Sequence, residues 1–200
     1  MDLNLLSAEQ AETLERLIAS AEHILITTHS RPDGDALGSS LGWAVYLREH
    51  YGKEPAVVVP NGYPDFLRWL PTSERIIRYD KHPVEVQQLF DKAQLVFCID
   101  YNGLNRVDAM EDALANCNAP RVMFDHHLNP TLPAEVCVSH ADLSSASEVV
   151  FRVVWQLGGF EELCKKFAVH IYCGMMTDTG GFTFNSTRPE IYFIICQLLT

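Results

Sequence analysis

HILITTHSRPDGDALGSSLGW, residues 23–43, changes character at its midpoint. The apolar run 24–26, with β-branched Thr27 and Thr28 behind it, reads as a buried strand ending at His29. Ser30, Arg31, Pro32 and Gly34 then make a tight connection. Pro32 fixes its own φ and biases Arg31 away from helix, while Gly34 tolerates dihedrals that a Cβ would penalise. Asp35 opens a helix that reads over 36–49. His29, Asp33, Asp35 and, as a fourth candidate, Ser30 therefore offer metal-binding atoms where a strand hands over to a helix. In open α/β sheets that edge is where ligands bind.

The same grammar repeats outward. Ser7 followed by Gln10 is a capping-box pattern, opening an N-terminal helix with the stripe Leu14, Leu17, Ile18 and Ala21. Apolar runs at 56–59, 76–79, 95–99, 121–124 and 136–138 read as strands. Helical turns are expected over 64–70 and helices over 84–90, 104–115, 161–176 and 190–199, with another, capped by Ser144, Ser145 or Ser147, running to Leu157. Gly158-Gly159 breaks that helix, and Gly180-Gly181 is a stop signal after Asp178. Gly34, Gly38 and Gly42 recur every four residues, which bares one face of their helix for close packing on the sheet. Strands alternating with helices predict one α/β domain over 1–200, a mainly parallel sheet flanked by helices, with its site at the carboxyl ends of the strands.

Two hundred residues can bury one full core. The formal net charge of −11, from 26 acidic against 15 basic residues, disfavours counterion-release binding to long nucleic acid. No apolar run approaches the roughly 20 residues of a membrane span, and the first residues carry no signal-peptide pattern. The six cysteines lack C-x-x-C spacing and several fall in apolar patterns, as buried thiols of a reducing compartment do. A cytoplasmic protein without membrane association is expected. No G-x-G-x-x-G follows the first strand, which excludes a dinucleotide oxidoreductase.

Three strand runs end in ligand-capable side chains: His29, Asp100 and Asp125-His126-His127. A long helix ends near Asp178, where a carboxylate meets the negative end of the macrodipole and calls for a cation nearby. Singly, each has an ordinary reading as a cap, turn or loop residue. Jointly they do not, because parallel strands gather their carboxyl ends and crowd Asp33, Asp35, Asp100 and Asp178 into one crevice. Like charges there push carboxylate pKa values up unless cations neutralise them. Two divalent ions balance four carboxylates, and mixed O and N donors favour Mn2+, or Mg2+ where ligation is less demanding, over structural zinc.

His29-x-x-x-Asp33-Gly34-Asp35-Ala36, Asp100, Asp125-His126-His127 and Gly174-Met175-Met176-Thr177-Asp178-Thr179-Gly180 resemble, in order and spacing, the four motifs of the DHH phosphoesterase superfamily. The short leader before the first motif and the SSASE stretch at 144–148 are most similar to its bacterial nanoRNase and pAp-phosphatase type. The resemblance implies a Rossmann-like domain with one metal held by His29, Asp33 and Asp100. A second would be held by Asp35, Asp100, His126 and Asp178, with Asp100 as the bridge. His127 is then free to face substrate phosphate, and Asp125 orients a histidine or a water. The implied chemistry is two-metal activation of water for hydrolysis of short single-stranded RNA or dinucleotides to mononucleotides, and of pAp to AMP. His127, Asp125 and Asp100 are its catalytic residues; Arg106 and Arg188, which follow Asp100 and Asp178, join His127 as candidate phosphate contacts.

Members of this superfamily normally continue into a C-terminal substrate-binding domain with a glycine- and histidine-rich motif, which nothing in 1–200 matches. The chain is therefore expected to be the catalytic domain and weakly active alone. A cyclic-dinucleotide phosphodiesterase of the same superfamily is the alternative activity, with a pyrophosphatase or exopolyphosphatase third. A nucleotide-binding regulatory module with an inactive site is the alternative of another class, and the complete ligand set argues against it. The oligomeric state is left open, a homodimer among the options.

Overall fold

The computed structural model describes residues 2–200. Six strands, β1 (Ile24–Thr27), β2 (Ala56–Val59), β3 (Ile77–Arg78), β4 (Leu95–Ile99), β5 (Arg121–Asp125) and β6 (Val136–Ser139), form one sheet in the order β3-β2-β1-β4-β5-β6. Every pairing is parallel. The winding reverses between β1 and β4, so the loops leaving these neighbours part and open a crevice at their carboxyl ends. Thr27 pairs in register with Cys98, and continuing that register two residues sets His29 opposite Asp100.

The central strands β1, β4 and β5 are buried along almost their whole length because helices cover both faces of the sheet. Ile24, Ile26, Phe97 and Ile99 pack towards α1 (Ala8–Ser20), α2 (Gly34–Tyr51), α5 (Ala146–Leu157), α6 (Lys165–Asp178) and α7 (Pro189–Leu199). Leu25, Val96 and Cys98 alternate with them and pack towards α3 (Pro83–Lys92) and α4 (Glu111–Ala115). α1 opens with the reciprocal Ser7–Gln10 capping box, and Ser145 caps α5.

Three expectations change. The glycine face of α2 packs on α6, not on the sheet: a Cβ at Gly38 would meet the His170 carbonyl at 2.5 Å, and one at Gly34 or Gly42 would meet Thr177 or Ile171. Both helices share one face of the sheet and run antiparallel, and bare backbone at Gly38 and Gly174 permits the close approach. α6 starts only at Lys165, because 160–162 form a separate 3-10 turn behind the left-handed Gly159. The helix expected over 104–115 divides into a 3-10 segment, Leu104–Met110, and α4. Asp108 has a φ of 50° within that segment, and its carboxylate accepts the Asn61 amide from the loop after β2 at 3.4 Å.

Among the described residues no helix is long and apolar enough to cross a membrane. All six cysteines are free, with Cys98, Cys117 and Cys173 buried.

Candidate metal centre

Just beyond β1, the Ser30 N–H donates to the Arg106 carbonyl at 2.8 Å and ties this loop to the one after β4. His29 Nδ1 donates to the Ser30 carbonyl at 2.9 Å, which commits that nitrogen and leaves Nε2 for the crevice. Nε2 lies 3.4 Å from Asp100 Oδ2 and 3.9 Å from Asp33 Oδ1. Asp33 is also the N-cap of α2, its Oδ1 accepting the Asp35 and Ala36 amides at 3.0 Å each. Ser30 thus serves the site through its backbone.

Asp100 follows β4 with a φ of 65°, a left-handed conformation that aspartate tolerates better than most side chains and that local sequence does not announce. Its Oδ2 faces His29, and its Oδ1 lies 3.5 Å from His126 Nε2. Among the described residues, that Oδ1 is buried without a hydrogen-bond partner.

The His126 Nε2 atom is also 3.5 Å from Asp178 Oδ2 and 3.8 Å from Asp35 Oδ2. Asp178 reaches the crevice because the antiparallel contact sets the end of α6 beside the start of α2. Asp35 is buried and held from an unexpected quarter. Its Oδ2 accepts the Ala146 N–H at 2.6 Å and its Oδ1 the Ser147 N–H at 2.9 Å, so the N-terminus of α5 supplies positive charge to the carboxylate. The SSASE stretch is the only sequence signal for this contact.

Asp125 orients His127: its Oδ2 accepts the His127 backbone N–H at 2.9 Å and its Oδ1 the ring Nδ1–H at 2.8 Å. The ring is one-third exposed, with Nδ1 bound to Asp125 and 3.8 Å from Asp100 Oδ1. Arg106 is half-buried on the loop that Ser30 grips. The Arg188 guanidinium is engaged by Glu148, 2.9 Å from both carboxylate oxygens, and by Asp142 at 3.4 Å, and does not join the ligand cluster.

Charge in the crevice is sorted rather than uniformly repelled. Burial and the Asp100 charge raise Asp35 well above the usual carboxylate range. Burial, with Asp100 and Asp33, raises Asp178 to about 6 against the pull of His126. Asp100 departs from the expected rise: burial opposes its charge, but His126 and His29 outweigh that and hold it at about 2. Both histidines respond in kind. Burial disfavours their charged forms, yet Asp100 and the surrounding carboxylates raise His29 to about 9 and His126 to about 10.

Three groups, His29-Asp33-Asp100, Asp35-His126-Asp178 and Asp100-His126-His127, each offer ligand atoms within 4.8 Å of one another. Asp100 stands between the first two with one oxygen towards each. Carboxylates and imidazoles without sulfur suit hard divalent cations, and the orphaned Asp100 Oδ1 is an atom that such a cation would satisfy. The residues fit the metal pair.

Residues 23–175 match the DHH family, N-terminal domain. The bifunctional oligoribonuclease and PAP phosphatase NrnA of Thermus thermophilus is 33% identical over 179 residues, 88% of this chain and 49% of that protein. An exopolyphosphatase-related protein from Bacteroides fragilis, known as a crystal structure, is 42% identical with a TM-score of 0.95, over 98% of this chain and 57% of that one. The exonuclease RecJ bound to manganese shares the fold, with a TM-score of 0.59 at 17% identity over 100% of this chain and 49% of that one. The chain spans about half the length of the curated relatives it matches. With four ordered motifs gathered at one sheet edge and a match across most of its length, the chain belongs to the DHH family.

Proposed function

We propose that this chain is the catalytic domain of a two-metal phosphoesterase that hydrolyses short oligoribonucleotides to mononucleotides and pAp to AMP. Asp100 carries the reading, because its carboxylate is divided between two ligand groups and keeps one buried oxygen unpaired. His29, Asp33 and Asp100 would hold one divalent ion, and Asp35, Asp100, His126 and Asp178 the other, with Mn2+ preferred to Mg2+. When bound, such a pair lowers the pKa of water and offsets the charge that builds on phosphoryl oxygens.

The chain's own residues supply the rest. Asp125 fixes the His127 ring, so that Nε2 can donate to a non-bridging phosphate oxygen or protonate the departing one. Arg106 contacts a phosphate; Arg188, bound to Glu148, is not assigned that role. Each turnover breaks one P–O bond and adds the elements of water across it. A dinucleotide gives two mononucleotides, and pAp gives AMP and phosphate. The relative named as an oligoribonuclease and PAP phosphatase supports this substrate class. Six free thiols suit a cytoplasmic setting.

The test is product analysis with Mn2+ on a diribonucleotide, on pAp and on cyclic di-AMP. Mononucleotides from the first two are expected, slowly, since a chain of net charge −11 does little to orient a polyanion. Asp100→Ala should abolish them together with metal binding. Turnover of cyclic di-AMP alone would move the activity to that class, and a wild-type chain that takes up no metal would leave no enzyme to assign.

A further inference from the structure

On the two-ion reading above, we propose that Glu148 and Arg188 form a latch that positions Asp178, so that α5 governs the second metal site and not the first. α5 already holds one carboxylate of that site, since its first two amides grip Asp35. The side chain of the next residue, Glu148, is fully buried. It accepts the Ser144 N–H at 2.8 Å, the Ser144 hydroxyl at 2.6 Å, Arg152 Nη2 at 2.7 Å and Arg188 Nη2 at 2.9 Å. Arg188 stands at the far end of the segment that leaves Asp178, as the N-cap of α7.

That segment needs an anchor. Between Asp178 and Arg188 the backbone has positive φ at Gly180, Gly181, Phe182 and Asn185. The value of 63° at Phe182 is strained for a bulky side chain and persists only where the surroundings over-determine it, while Asn185 at 48° tolerates the left-handed region. Thr179 clamps the near end: its hydroxyl donates to the Met175 carbonyl at 2.6 Å and accepts the Phe182 N–H at 3.0 Å. The Arg188–Glu148 pair clamps the far end. α5 therefore holds Asp35 directly and Asp178 through this segment. His29, Asp33 and Asp100 take their support from Ser30, the start of α2 and the end of β4 instead.

The experiment is a calorimetric Mn2+ titration of the 200-residue chain and its Arg188→Gln variant, which leaves the Ser144, Arg152 and Asp35 bonds in place. Asp35→Asn serves as the reference for a lost second site, and electron paramagnetic resonance separates paired from isolated Mn2+. Loss of a ligand-orienting contact costs about 10- to 100-fold in affinity, so the second ion should weaken by that factor while the first stays within about twofold. Paired Mn2+ should give way to isolated Mn2+ at limiting metal. Arg188→Lys, which keeps the charge but loses the fork, should fall between. Two ions bound as in the wild type, or both weakened equally, would overturn the latch. If Arg188→Gln loses its cooperative thermal transition, Arg188→Lys decides by the same criterion. A wild-type chain that takes up fewer than two ions overturns the two-ion reading, and the latch with it, before any variant is compared.

Discussion

Filling the metal centre should expel protons, with the two histidines setting the minimum number. Without metal, His29 is raised to about 9 and His126 to about 10, since Asp100 and its neighbours outweigh burial. Near pH 7 both rings are protonated, and each must lose that proton before Nε2 can donate to a cation. At about 1.36 kcal/mol per unit between pKa and pH, deprotonation costs about 3 kcal/mol at His29 and about 4 kcal/mol at His126 near pH 7. Uptake of two ions should then release at least about two protons, any held by the raised Asp35 carboxyl adding to them, and the apparent affinity of each site should rise with pH until pH passes 9 and then 10. Calorimetry with Mn2+ in buffers of contrasting ionisation enthalpy reads the number released. A value near zero at neutral pH would refute the argument, because the rings would then be neutral already or would not be ligands. Stability of the metal-free chain follows the same groups. Raised histidine pKa values stabilise the fold fully below the unfolded value of 6.5, and that contribution is lost as pH rises through 9 and 10. Asp178, raised from 3.8 to about 6, instead subtracts stability as pH climbs across that interval.

His127→Ala should retain both Mn2+ ions and lower kcat by about 10²-fold or more; loss of metal in elemental analysis would make His127 a ligand. Gly38→Ala should destabilise the chain by about 1–3 kcal/mol in urea unfolding, despite the usual helical gain from alanine, because its Cβ meets backbone of α6. A variant more stable than the wild type would contradict that packing. His170 is buried with both ring nitrogens unpartnered, and burial, aided by Arg48 and Lys166, lowers it to about 4. Between 6.5 and 4 the unfolded chain takes up a proton here that the folded chain does not, so stability present above 6.5 is lost as pH falls towards 4. His170→Leu should remove that acid slope and stabilise the chain by about 1–3 kcal/mol at neutral pH, and an unchanged slope in chemical denaturation would refute it.

The strands and the motif residues at their ends were legible because both are local: apolar runs of four or five residues close on His29, Asp100 and Asp125. Parallel topology then required those ends to meet. What local pattern could not carry were partners far apart in sequence. The Gly34, Gly38 and Gly42 spacing announced a close approach but not its target, which depends on which helices share a face of the sheet. Ser144 to Glu148 marked a helix start, while Asp35 and Arg188 meet that start only after the sheet has wound. Even the rise in carboxylate pKa failed at Asp100, where two histidines that follow separate strands outweigh burial.

The ligand groups draw on the ends of β1, β4 and β5, the start of α2 and the end of α6. An ion meeting the unfolded chain finds only local clusters, His29, Asp33 and Asp35 or His126 and His127, each far in sequence from Asp100 or Asp178, so it cannot lead assembly. The first ion can enter only once β1 and β4 have paired and the second only once α6 has docked, and from then on the chain must release them before coming apart. Metal should accordingly leave the folding rate almost untouched and slow unfolding instead, because contacts absent from the transition state act on that limb. The lifetime of the folded chain, and its resistance to forced unfolding or heat inactivation, would then track the supply of divalent metal.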